Sequence, residues 1–92
     1  MEVLHAVVRG RVQGVGFRWF VRERARRLGV RGWVRNRPDG SVEIEAAGEP
    51  DSLEALRTFL GEGPTGAHVS AIDELPGAAT PDDLPYPFSI VR

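Results

Sequence analysis

Ninety-two residues, no cysteine and a formal net charge of −1 allow one domain, residues 1–92, with roughly 60–70% of the chain's surface buried on folding. They exclude a disulfide scaffold, a thiol nucleophile and any thiolate metal site. The small net charge hides a split: residues 1–38 carry ten arginines against Glu2 and Glu23, while residues 39–92 carry two arginines against eleven acids, with no lysine anywhere.

The run Val3–Gly10 is rich in β-branched residues and loosely alternating, and it predicts a first strand with Leu4, Ala6 and Val8 on one face and His5, Val7 and Arg9 on the other. Arg11-Val12-Gln13-Gly14-Val15-Gly16 is a glycine-rich turn. From Phe17 to Leu28 the period becomes helical: Phe17, Phe20, Val21, Ala25 and Leu28 share a face, and Gly29 ends the helix. Arg24 falls inside the apolar arc, where its stem covers apolar surface while its head reaches for water.

Val30–Arg37 predicts a second strand, with Gly32, Val34 and Asn36 opposite Arg31, Trp33, Arg35 and Arg37. Pro38-Asp39-Gly40 makes the turn, and Ser41–Ala47 the third strand, with Val42, Ile44 and Ala46 inward and Glu43 and Glu45 outward. A three-residue turn places Arg35 opposite Glu43 and Trp33 opposite Glu45. Gly48–Ser52 opens a second helix, capped by Asp51 or Ser52, with Leu53, Leu56, Phe59 and Leu60 as its apolar stripe. A loop over Gly61–Gly66, a fourth strand over His68–Glu74, an irregular segment over Leu75–Pro85 and a short last strand over Tyr86–Val91 complete the chain.

The order β-α-β-β-α-β plus a final strand predicts an α+β, ferredoxin-like sandwich, an antiparallel sheet with both helices on one face. A right-handed crossover makes the two strands flanking the first helix parallel. Interleaving of the two halves in one domain neutralises much of their charge; a basic half left uncovered invites an anionic partner. His5 and His68 stand far apart with no acid at ligand spacing, so neither metal nor cofactor is expected. No apolar run reaches ~18 residues. The start, Met-Glu-Val-Leu-His-Ala, lacks the basic and apolar regions of a signal peptide, which points to the cytoplasm.

The start of the first helix breaks local rules. Its leading N–H groups have no partner within the helix, yet Gly14-Val15-Gly16-Phe17-Arg18 offers no Ser, Thr, Asp or Asn cap and puts a cation in the first turn. A bound anion explains all of this: free amides donate to it, glycines let the backbone close round it, and Arg18 adds a planar fork of donors. Phosphate fits best. The bland alternative is a common strand-to-helix turn beside a solvated arginine. The spacing matches neither a Walker loop nor a dinucleotide fingerprint. Asn36, on the helix side of a parallel strand, approaches the same place. Its amide either ties down the Pro38-Asp39-Gly40 turn or holds a water or substrate oxygen.

Gly10-Arg11-Val12-Gln13-Gly14-Val15-Gly16-Phe17-Arg18 and Gly32-Trp33-Val34-Arg35-Asn36-Arg37-Pro38-Asp39-Gly40-Ser41-Val42-Glu43 together resemble the acylphosphatase family. The helix after Gly48-Glu49 and the Gly63-Pro64 segment extend the likeness over nearly the whole chain, and the Leu75–Pro85 stretch departs from it in length and proline content. The resemblance implies hydrolysis of a carboxylic–phosphoric anhydride. It assigns Arg18 and the backbone amides of Gln13, Gly14, Val15, Gly16 and Phe17 to phosphate binding, and Asn36 to positioning the attacking water. It implies a small-molecule acyl phosphate substrate, with neither nucleic acid nor membrane as partner, and the simplest state is a monomer.

Two rivals remain at this level. One is a phosphate- or carbamoyl-phosphate-binding module without turnover, as occurs in larger maturation enzymes. The other is an RNA-binding module of similar topology; Glu43 and Glu45 on its would-be stacking platform argue against it.

Overall fold

The computed structural model describes residues 1–77 and 79–92. The strands are β1 (Glu2–Arg11), β2 (Arg31–Asn36), β3 (Val42–Gly48), β4 (His68–Leu75) and β5 (Ser89–Ile90), and the helices are α1 (Phe17–Leu28) and α2 (Pro50–Glu62). They form one sheet in the order β4-β1-β3-β2-β5. β1 and β2 both run antiparallel to β3, which lies between them, and are therefore parallel to each other. The expected pairs Trp33–Glu45 and Arg35–Glu43 stand in register.

Alternation decides which face each strand buries. Leu4, Ala6 and Val8 of β1, Val34 of β2, and Val42, Ile44 and Ala46 of β3 are at most 1% exposed, and they form one core with Phe17, Val21 and Ala25 of α1 and Leu53, Leu56 and Leu60 of α2. Where the helices meet, Phe20 and Phe59 pack edge to face with ring centres 6.4 Å apart. The Arg24 guanidinium lies 4.8 Å and 5.1 Å from those two rings, covering the apolar surface its position had left open.

Five expectations differ from the structure. The sheet is mixed, because β5 pairs parallel with β2 through Trp33–Ser89 and Val34–Ile90. The last strand is shorter than Tyr86–Val91, because that pairing leaves room for only two residues. α2 begins at Pro50, with Glu49 in the capping position and no side-chain cap, so neither Asp51 nor Ser52 serves as one. Proline presets the first-turn φ and has no N–H to satisfy, while Asp51 still meets the helix dipole from the first turn. The same helix continues through Gly61 and Glu62, which had been expected in a loop.

The fifth difference lies on the face away from the helices. Glu43 and Glu45, expected outward, are only 8% and 6% exposed, and Val7 only 1%. Residues 76–77 and 79–85 lie against this face, the former by β1 and β4 and the latter reaching the β2 edge; Ala78, within the stretch expected to be irregular, lies outside the described residues. The Ala79 N–H donates to Glu45 Oε2 (3.3 Å), Arg31 Nε to the Leu84 carbonyl (2.9 Å) and the Gly32 N–H to the Pro85 carbonyl (2.8 Å). Leu84, 3% exposed and outside the main core cluster, anchors the strap. Within it, Pro81–Asp83 forms one 3-10 turn. Glu43 is gripped by His5 Nε2 (2.6 Å) and Arg35 Nε (2.9 Å).

Candidate active site

Between β1 and α1 the chain turns through Val12–Gly16. Gly14 (φ 75°) and Gly16 (φ 78°) are both left-handed, a conformation costing any other L-residue about 1–2 kcal/mol. No heavy atom lies within 4 Å of where their Cβ atoms would stand, so the backbone angle, not crowding, calls for glycine.

Gly16 occupies the N-cap position of α1, without a side-chain cap, and no acid stands in the first turn. The first intrahelical bond runs from the Phe20 N–H to the Gly16 carbonyl (3.0 Å). The N–H groups of Phe17, Arg18 and Trp19 precede it and have no partner inside the helix. Phe17's ring, 1% exposed, pins this end of the helix to the core. At the other end Arg26 and Arg27 suit the dipole, so α1 is conventional everywhere except at its open tip.

A cavity of about 210 Å³ opens at that tip, and Gly14, Gly16, Phe17, Arg18 and Asn36 line it. No acid does. Arg18 is exposed and, among the described residues, forms no ion pair. Asn36 reaches the cavity from the end of β2, and its Oδ1 is buried without a hydrogen-bond partner among the described residues. A buried amide oxygen left unsatisfied costs about 1–3 kcal/mol, and no donor among the described residues offsets that cost here.

Five of the seven residues singled out in the sequence therefore meet at one cavity. Gln13 and Val15 do not line it. Val15 packs against the core. Gln13 Nε2 donates to the carbonyls of Arg37 (2.8 Å) and Ser41 (2.9 Å), lashing the turn before α1 to the turn after Asn36. Tying down the Pro38–Gly40 turn, one of the two roles considered for Asn36, thus falls to Gln13, and Asn36 is left free to face the cavity.

Asp39 completes that turn. It accepts from the Ser41 hydroxyl (2.5 Å) and the Ser41 N–H (3.0 Å). The hydroxyl bond first, then the amide bond and the nearby Arg37 and Arg9 charges, draw its carboxyl from an ordinary 3.8 down to about 2. Sequence reasoning did not single out three further lining residues, Val12, Trp19 and Ile90. Trp19 carried a usable signal, an indole on the polar side of α1 beside the motif arginine. Ile90 carried none, because only the long-range pairing of β5 with β2 brings it here.

Fold and site together define an α+β sandwich whose first helix opens, uncapped, on a cavity lined by Arg18 and Asn36. The family model "Acylphosphatase" matches residues 4–88, and the chain belongs to the acylphosphatase family. It is 51% identical over 84 residues to an acylphosphatase of Cupriavidus pinatubonensis, covering 91% of this chain and 93% of that one. The crystal structure of acylphosphatase from Bacillus subtilis superposes with a TM-score of 0.88 at 36% identity, covering all of both chains. Full-length HypF in its phosphate- and nucleotide-bound form gives 0.76 at 26% identity, covering 99% of this chain but 12% of that one.

Proposed function

We propose that this chain is an acylphosphatase, hydrolysing the carboxyl–phosphate anhydride of small acyl phosphates to carboxylate and inorganic phosphate. The observation that carries the reading is the convergence of an uncapped helix tip, an unpaired Arg18 and the orphaned Oδ1 of Asn36 on one cavity. The names of relatives 51–59% identical to this chain support the same activity.

The substrate phosphate sits on the amides of the Gly14–Phe17 turn and on the Arg18 fork. Asn36 Oδ1 accepts a hydrogen bond from a water and holds it in line with the bond to be broken. The water oxygen bonds to phosphorus, the bridging P–O bond breaks with its electron pair leaving on the carboxylate, and a phosphate oxygen takes the water's proton.

The leaving carboxylate belongs to an acid of pKa about 4, so it departs without a general acid. Phosphoryl transfer is loose, so a strong base is also unnecessary. What is required is positioning and charge stabilisation, which one arginine, a set of amides and one asparagine supply. Phosphate monoesters, whose alkoxides require protonation, are poor substrates of such a site.

The test is hydrolysis of benzoyl phosphate by the pure protein beside Arg18→Ala; turnover well above background that the variant lacks is expected. The likeness to a segment of HypF favours a second reading, a phosphate-holding domain without turnover. Phosphate binding with no hydrolysis by the parent protein would select it. An RNA platform finds no support on the strap-side face, where Glu43 is gripped by His5 and Arg35 and Trp33 lies under the Arg35 guanidinium at 5.2 Å. The proposal keeps the enzyme a cytoplasmic monomer acting on a small molecule. No helix among the described residues is long and apolar enough to cross a membrane.

A further inference from the structure

Polar groups make only part of the cavity. Val12, Trp19 and Ile90 also line it, and holding a phosphate gives their side chains no task. Val12 is a core residue, 1% exposed. Trp19 is different: it stands in the first turn of α1, 59% exposed and outside the hydrophobic core. Single exposed apolar residues are ordinary, but this is the largest side chain type, left in water at the rim of the reactive cavity. Its ring is steadied by the Arg22 guanidinium, 5.9 Å from the ring centre and itself bonded to Glu23 (3.3 Å). Ile90 comes from the opposite end of the sequence, brought by the parallel pairing of β5 with β2.

The volume is also more than phosphate requires. A dry cavity of ~150 Å³ is enough to admit benzene, and this one measures about 210 Å³. The substrate's other half, the acyl group, takes no part in the bond changes and is free to be selected by its shape and polarity.

We propose that Trp19 and Ile90 form the acyl-binding wall of the site, and that the enzyme favours acyl phosphates with a flat, apolar acyl group, above all an aromatic ring, over acetyl phosphate. This rests on the acylphosphatase reading and narrows its substrate class. An indole offers a flat acyl group an offset-stacked or edge-on contact, and Ile90 supplies apolar surface beside it. An acetyl group is too small to use either.

Two non-hydrolysable ligands separate this wall from catalysis. They are ketophosphonates in which a CH₂ replaces the bridging oxygen, one carrying a phenyl ketone and one a methyl ketone. Calorimetry on the wild-type protein, Trp19→Ala and Trp19→Phe measures both affinities, with circular dichroism confirming the fold of each variant. The wild-type protein is expected to bind the phenyl compound about three- to tenfold more tightly. Trp19→Ala loses that advantage and Trp19→Phe keeps most of it, and the ratio of kcat/KM for benzoyl over acetyl phosphate falls in step. Equal wild-type affinities, or an advantage undiminished in Trp19→Ala, overturn the proposal. An intact aromatic advantage without hydrolysis of either substrate sinks the hydrolase reading and leaves the wall standing; hydrolysis without the advantage does the reverse.

Discussion

Arg18 and Asn36 line one cavity, and the proposed mechanism gives them different jobs, so their variants should fail differently. In the proposed mechanism Arg18 contributes a charge-assisted fork to the phosphate and to the charge that develops on it. Arg18→Ala is expected to lose about 10²–10³-fold in kcat/KM. Arg18→Lys recovers little of this, because an ammonium is a point charge without the planar pair of donors. In the same mechanism Asn36 holds only the water. Asn36→Ala is therefore expected to lower kcat about 10²-fold while inhibition by inorganic phosphate stays within about twofold. Steady-state kinetics with phosphate as inhibitor checks both; an Asn36→Ala enzyme with full turnover contradicts the water-positioning role. Both residues were legible in the sequence because each breaks a local rule, a cation where the helix dipole disfavours one and an amide on an apolar strand face. The Gln13 side chain was not, because its partners, the carbonyls of Arg37 and Ser41, lie more than twenty positions away.

At the level of elements, the turn between β2 and β3 decides where Asn36 stands, and it is held by ionised groups. Asp39 has its pKa drawn down to about 2. For Glu43, burial alone would raise the pKa, but hydrogen bonds from His5 and Arg35 outweigh it and leave it lowered. A carboxyl whose pKa is lower in the folded than in the unfolded chain stabilises the fold above its unfolded pKa and loses that contribution as pH falls toward the folded value. Asp39 therefore supports the fold fully above about pH 4 and progressively less down to about pH 2. Melting temperatures measured from pH 6 to pH 2 are expected to fall along this limb, and Asp39→Asn to flatten part of it; an unchanged limb would remove Asp39 from this role. Period and turn chemistry in the sequence placed α1, the pairing of β2 with β3 and the core face of every central strand. They did not show that α2 would start on Pro50 or that Glu43 and Glu45 would be covered, because the strap that covers them returns from more than thirty residues downstream.

Across the whole molecule the basic and acidic halves do interleave: Arg9 pairs with Asp39 and Asp73, and Arg35 with Glu43. The neutralisation is uneven, however. Arg11, Arg18 and Arg37, on the two chain segments that lead to the cavity, form no ion pair among the described residues. An anionic substrate is drawn to such a region, and salt screens the attraction. The kcat/KM for benzoyl phosphate is expected to fall about threefold or more between low and ~0.5 M salt, and a flat profile would remove the steering. That imbalance was present in the sequence, where the first 38 residues hold ten arginines, but which of them stay unpaired depends on sheet register. The β5 edge that brings Ile90 to the site was beyond reach for the same reason, since two residues of strand carry too little pattern to reveal a parallel partner.

Titration of the protein with inorganic phosphate, followed by amide nuclear magnetic resonance, tests the central claim most directly. Saturable shifts are expected at the backbone amides of Gly14–Trp19 and at the Asn36 side-chain amide, and they should vanish in Arg18→Ala. Shifts confined to other parts of the chain, or the same shifts persisting without the arginine, would contradict a phosphate seat at the tip of α1.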